Sequence, residues 1–239
     1  MKPTTSVLSR AALAATTALT ASTLTCTALV AVSAPAHAGT VVQDCAGGPV
    51  TIGATLDDVT LTGVCTDVRI DASNITVALP ATSSLTITGA NLEIAASGPV
   101  GTVTYAGGNN VLVAPSAGDV SVSGGNNEAT FSGAIGRTSL VDGNNSVRAG
   151  EIAALRVEDG NQVVRATKIG AVTVTGSNTT LTAATAPKVT VKGANNSVKV
   201  TRLPVLTIIG SNNTAVVRKG TTKVKVRGAN NVVRVKKRA

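Results

Sequence analysis

Gly-Ala-Asn-Asn-Val-Val-Arg-Val, residues 228–235, decides the fold, because looser copies of this stretch recur along the whole chain. We take the first Asn of each copy as the marker of the repeat, and consecutive markers lie 17 or 18 residues apart. A fixed period this short is typical of proteins built from stacked repeats. The markers are Asn74, Asn91, Asn109, Asn126, Asn144, Asn161, Asn178, Asn195, Asn212 and Asn230.

Apolar and polar residues alternate on both sides of each marker. Around Asn195 the alternating segments are residues 189–191 (Val-Thr-Val) before the marker and 198–200 (Val-Lys-Val) after it. Alternation with a period of two predicts short strands with one buried and one solvent-facing side. Further along each copy, an aliphatic residue such as Leu203 indicates a third inward position.

Small residues precede the markers, as in Gly193-Ala194 and Gly228-Ala229, and they are typical of tight corners. Each repeat therefore predicts a strand, a corner, a second strand and a loop that climbs to the next level. We predict an all-β fold, a single-stranded β-solenoid (β-helix) of about ten to eleven coils with a 17–18-residue period. Stacked marker amides are expected to form a hydrogen-bonded ladder. A two-sided and a three-sided cross-section both fit the pattern.

The first 38 residues predict a removable signal peptide. Lys2 and Arg10 are their only charges, an apolar stretch covers 11–32, and residues 36–38 (Ala-His-Ala) form a cleavage signal. An uncleaved membrane anchor and lipid modification of Cys26 are the alternatives, and both fit this sequence poorly. The predicted organisation is a signal peptide at 1–38 and a solenoid domain at 39–239, and the protein is expected to be secreted or associated with the cell envelope.

The residue types of the predicted mature chain argue against catalysis. The sole His of the sequence, His37, belongs to the predicted signal peptide, and Tyr105 and Phe131 are the only aromatic residues. The adjacent acidic pairs Asp57-Asp58 and Glu158-Asp159 resemble surface or turn residues. We therefore expect no enzyme, no catalytic residue, no metal site and no cofactor.

Cys45 and Cys65 are the two cysteines of the predicted mature chain. An even number of cysteines in an exported protein favours a disulfide. Residues 50–52 and 68–70, which follow the two cysteines, have similar sequences, so the cysteines are expected on adjacent coils. The predicted bond would staple the first two coils together. A redox-active pair is the alternative, but the chain offers no Cys-x-x-Cys spacing.

The segment from Asp44-Cys45 to residues 59–65 (Val-Thr-Leu-Thr-Gly-Val-Cys), followed by repeated Gly-x-Asn-Asn-x-Val, resembles the secreted bacterial family catalogued as domain of unknown function 3060. The resemblance covers most of the predicted mature chain. The sequence departs from the family pattern by Thr55 at the marker position of the first coil and by a very basic C-terminal part. The resemblance implies no activity, so it transfers no functional residue.

Charge separates along the sequence. All 12 acidic residues lie between Asp44 and Asp159, and with four Arg they give 39–160 a net charge of 4 − 12 = −8. Residues 161–239 hold 15 Lys and Arg and no acid, hence +15. Such a basic half favours attachment to an anionic cell-wall polymer or another polyanion. The candidate residues are Arg148, Arg165, Lys192, Lys199, Arg227, Arg234, Lys236 and Lys237.

Four other interpretations remain open at this stage. The charges could solvate the surface and protect the last strand edge. The opposite charges of the two halves also favour head-to-tail association into fibres. An ice-binding face is suggested by Thr residues at equivalent positions, but the neighbouring positions are irregular. A solenoid hydrolase or lyase would need a catalytic groove. We expect no specific nucleic-acid recognition, because the chain is poor in aromatic residues. The leading hypothesis is a non-enzymatic structural or cell-envelope protein.

Overall fold

A computed structural model describes residues 39–55 and 57–236, and in this part of the chain it contains strands and turns but no helix. The predicted signal peptide, Leu56 and residues 237–239 lie outside the described residues. Among the described residues, no helix has the length and apolarity that a membrane crossing would require.

The described chain forms 21 strands that belong to one continuous sheet. Most strands have three to six residues, whereas β13 and β14 each have 12. The strands are β1 Thr40–Asp44, β2 Val50–Ile52, β3 Asp58–Thr62, β4 Cys65–Ile70, β5 Thr76–Leu79, β6 Thr82–Ile87, β7 Glu93–Ala96, β8 Val100–Tyr105, β9 Val111–Ala114, β10 Val120–Ser123, β11 Glu128–Phe131, β12 Ala134–Val141, β13 Ser146–Val157, β14 Val163–Val174, β15 Thr180–Thr185, β16 Lys188–Lys192, β17 Ser197–Arg202, β18 Val205–Ile209, β19 Thr214–Val217, β20 Lys223–Arg227 and β21 Val232–Val235.

Every strand pairing is parallel and joins residues 17 or 18 positions apart, so each coil lies directly on the previous one. This stacking confirms the β-solenoid. The strands that precede the corners form the first face, and their inward column has 11 members, one for each coil, of which Val224 in the last coil is exposed. These are Val50, Val68, Leu85, Val103, Val120, Thr138, Leu155, Val172, Val189, Leu206 and Val224.

The cross-section has three inward-facing sides. The strands that follow the corners form the second face, whose column runs from Val41 through Val59 to Val233. A third column, on the third face, passes through Val100, Ala117, Ile135, Ile152 and Ile169. Strands β13 and β14 run without interruption from the second face through the third face to the first face of the next coil. Apart from Val41 and Val224 in the end coils, which are exposed, the three columns form one core, which is aliphatic except for Thr138.

The disulfide joins Cys45 and Cys65, whose Cα atoms lie 5.1 Å apart. It connects the chain after β1 to the start of β4 and confirms the predicted staple of the first coils. The placement of Thr55 at a marker position was wrong. The pairs Val50–Val68 and Val59–Val77 both have an offset of 18, so Thr55 corresponds to Ser73 and not to the marker Asn74.

The core holds both aromatic residues of the domain. Tyr105 is fully buried and Phe131 is 2% exposed. The Tyr105 hydroxyl has no hydrogen-bond partner among the described residues. Burial raises the pKa of the Tyr105 phenol, so this group stays neutral inside the coil stack.

Candidate anion-binding surface

The marker Asn residues turn the corners between the first and second faces. Eight of the ten have φ between 55° and 62°, in the left-handed region that Asn tolerates better than most residues. The exceptions are Asn144 and Asn161, whose corners use the left-handed residues Asp142, Gly143 and Gly160 instead. The corner conformation is therefore one reason why the repeat needs this residue.

The marker amides form the predicted ladder in the first part of the solenoid. The Asn91 side chain donates to Asn74 at 2.8 Å, and the series continues upward to Asn161, which donates to Asn144 at 2.7 Å. The intermediate bonds are each 3.1 Å long, with each amide donating to the marker of the coil below. From Asn178 onward, no such bond joins the marker side chains of the described chain.

The residue after the marker forms a second, buried ladder that the sequence interpretation missed. Asn196 accepts a hydrogen bond from the Thr179 backbone N–H at 2.8 Å and donates its amide to the Gly176 carbonyl at 3.0 Å. Asn127 and Asn213 make the same two kinds of hydrogen bond to the coil beneath them, each accepting from a backbone N–H and donating to a Gly carbonyl. The Asn-Asn doublet is the sequence feature that could have indicated this ladder. A buried amide needs hydrogen-bond partners, and the adjacent coils supply them.

A column of glycines lets adjacent corners approach this closely. A methyl group on Gly193 would lie 2.1 Å from the Gly176 carbonyl oxygen, and one on Gly210 would lie 2.0 Å from the Gly193 oxygen. The carbonyls of this column are also the acceptors of the inner Asn amides. The Gly column and the inner amides together fix the vertical register of the coils, and hence the positions of the outward side chains.

That register stacks four of the predicted cations in one outward file of the second face. Arg148 pairs with Arg165, and Lys199 and Arg234 follow at the third and fifth coils above Arg148, all of them exposed. With strands about 4.8 Å apart, the file extends over about 24 Å. From Arg148 upward, the file contains one residue from each coil: Arg148, Arg165, Thr182, Lys199, Val216 and Arg234.

The other predicted cations occupy separate positions. Lys192 and Arg227 share an outward file of the first face, separated by Ile209. Lys236 follows β21, and its backbone N–H donates to the Val217 carbonyl at 2.9 Å. Lys237 lies outside the described residues.

Sequence reasoning missed a neighbouring group of cations between the second and third faces. Thr185 pairs with both Lys168 and Arg202, and the Lys219 backbone N–H donates to the Thr201 carbonyl. The residues Lys168, Thr185, Arg202 and Lys219 are spaced by the 17-residue repeat, which was the available signal. These side chains broaden the basic surface beyond the file of Arg165.

Few of these cations have an acidic neighbour. The described chain contains three ion pairs: Arg69 with Asp71, Arg156 with Glu158, and Lys168 with Glu151. Of the 13 Lys and Arg between positions 161 and 236, only Lys168 takes part in one. The upper coils therefore carry an exposed positive charge that no carboxylate of the described residues neutralises.

The acidic residues of the first half mostly serve local structure. Asp58 accepts the Thr76 backbone N–H at 2.7 Å, and Asp57 accepts that of Gly39 at 2.7 Å. The hydrogen bond donated by the Thr88 hydroxyl, followed by that of Arg69, lowers the pKa of Asp71.

A known family matches a segment that covers the first part of the basic half. The family model described as "Protein of unknown function (DUF3060)" matches residues 157–205, and this match supports membership of the family that the sequence resembles. The matched segment contains the markers Asn161, Asn178 and Asn195. Comparison of the chain with curated proteins and with solved structures gave no match.

Proposed function

We propose that the protein is an exported, non-enzymatic structural protein that attaches to an anionic polymer of the cell envelope through its basic coils. The observation that carries this proposal is the file of Arg165, Lys199 and Arg234, whose charges no described carboxylate neutralises. A rigid series of cations matches a linear polyanion better than a compact ligand does. The solenoid acts as the scaffold that holds their spacing.

Electrostatic attachment predicts a strong dependence on salt. Raising the salt concentration from about 50 mM to about 200 mM should weaken binding to purified cell envelopes about a hundredfold if four cations release counterions. Co-sedimentation of the purified protein across this range measures the effect. Binding that does not change with salt would contradict an electrostatic tether.

A charge-matched pair of variants locates the contact. The triple variant Arg165→Gln, Lys199→Gln and Arg234→Gln should bind at least about tenfold more weakly and show a smaller salt dependence. The control Arg69→Gln, Arg137→Gln and Arg156→Gln removes the same charge from the lower coils. Equal losses in the two variants would show that net charge, and not this file, determines binding.

Head-to-tail association is a second candidate function, favoured by the two ends of the second face. Among the described residues, β1 pairs only with β3 and β21 only with β19, so each strand has a free edge. Val42 is 67% exposed and Val232 is 44% exposed. Asp44 lies at the first end and Arg234 at the second, so the charges of the ends are complementary.

In this arrangement, β1 of one copy would pair with β21 of the next and extend the second face. We expect the sedimentation coefficient to rise with protein concentration, and to fall again at high salt because opposite charges are screened. Analytical ultracentrifugation measures both trends. A monomer at every concentration would exclude fibre formation by this route.

A further inference from the structure

A hollow lies beside the basic file, between the second and third faces. Its volume is about 270 Å³. Positions 167, 184, 201 and 218 form one side, and Thr182 and Lys199 form the other. The hollow exists because Ala183 and Ala184, which line it, carry only methyl groups, whereas longer side chains surround them.

Hydrogen-bond donors line the hollow. The hydroxyls of Thr167, Thr182 and Thr201 make no hydrogen bond to another described residue, so all three are available to a ligand. Thr182 and Thr201 come from different coils, and only the register of β15 and β17 brings them together. A hydroxyl can donate one hydrogen bond to an oxyanion while it remains hydrated on its other side.

Two cations complete the lining. Lys199 belongs to the basic file, and the Arg218 backbone is held above Val200 by a hydrogen bond from its N–H to the Val200 carbonyl at 3.1 Å. No Asp or Glu lines the hollow. An ammonium group, a guanidinium group and three hydroxyls suit a tetrahedral oxyanion, because such an anion accepts several hydrogen bonds in different directions.

We propose that this hollow binds a phosphate group, with Lys199 and Arg218 supplying charge and the Thr182 and Thr201 hydroxyls supplying directed hydrogen bonds. This inference rests on the attachment to a polymer proposed above, and it specifies that the polymer carries phosphodiester groups. Free inorganic phosphate offers the same group, so the test includes both sources. A polymer of carboxylates would also be attracted by the positive charge of the surface, but its affinity would depend less on the hydroxyls.

The decisive variant removes hydroxyls and keeps every charge. Thr182→Val with Thr201→Val preserves the size and the strand preference of both side chains, and Thr173→Val with Thr190→Val on the first face is the matched control. NMR titrations of the backbone amides of 182 and 201 with inorganic phosphate, a poly(glycerol phosphate) and polyglutamate give the three affinities. We expect the hollow variant to bind both phosphate ligands about tenfold more weakly and polyglutamate within about twofold of the unchanged protein.

Each outcome separates the two proposals. Similar phosphate affinities in the hollow variant and the control would overturn the phosphate site, even if the salt-dependent attachment persists. Binding of inorganic phosphate at the hollow without binding of either polymer would sustain the site and overturn the attachment. Tighter binding of the poly(glycerol phosphate) than of inorganic phosphate, lost in the hollow variant, would sustain both.

Discussion

Replacing Asn196 by Ala should lower the free energy of unfolding by about 4 kcal/mol, because it leaves two buried backbone groups of the coil below without partners. The Asn196 side chain, 2% exposed, accepts from the Thr179 N–H and donates to the Gly176 carbonyl. It also donates to the Asn213 amide oxygen at 3.0 Å. Equilibrium urea denaturation followed by circular dichroism measures the loss.

The adjacent marker Asn195 is the matched control. It is exposed, has φ of 58°, and its side chain makes no hydrogen bond within the described chain. Asn195→Ala should therefore cost only about 1 kcal/mol, the conformational penalty of a left-handed Ala. Asn195→Gly should be close to neutral, because Gly adopts this conformation freely. Equal losses at positions 195 and 196 would mean that the buried amide ladder does not stabilise the stack.

Replacing Gly193 by Ala should cost about 3 kcal/mol, because the new methyl group would overlap the main chain of the coil below. Its carbon would lie 2.1 Å from the Gly176 oxygen, which is held in place by the Asn196 amide. The clash is with backbone, so it cannot be relieved by a side-chain rotation. The coils around the corner would have to separate.

Gly125→Ala tests the specificity of that effect. Gly125 also lies in a corner, one residue before Asn126, but a methyl group there would meet no atom within 4 Å. Neither Gly125 nor Gly193 has a left-handed φ. The two substitutions therefore differ in the room available for the new methyl group and not in backbone strain. We expect Gly125→Ala to change stability by less than about 0.5 kcal/mol, measured by the same denaturation. A comparable loss at both positions would contradict the close approach of the corners.

Much of the fold was predictable because its interactions repeat at a constant interval. The alternation around each marker identified the first and second faces, and the 17- or 18-residue spacing predicted that Arg148 and Arg165 would lie one above the other. The disulfide was predictable for the same reason, since adjacent coils bring Cys45 and Cys65 within bonding distance. The third face was less visible, because its inward positions hold residues as different as Ile135 and Ala117.

The roles of the two corner Asn residues could not be separated from the sequence. Asn195 and Asn196 are chemically identical, and only the path of the backbone exposes one and buries the other. The corners at Asn144 and Asn161 use Asp142, Gly143 and Gly160 for the left-handed conformation, although the spacing of the markers is unchanged there. Local conformation can shift by a residue or two within a corner while the strands keep their register.

The sequence by itself determined the period, the β-solenoid and the separation of acidic from basic coils, because each is a property of residues in order along the chain. Only the tertiary structure decided which amide of each doublet is buried, that the section has three sides, and that Thr182, Lys199, Thr201 and Arg218 line one hollow. These features depend on where the chain bends between strands. A bend is set by contacts with the coils above and below, which no single repeat contains.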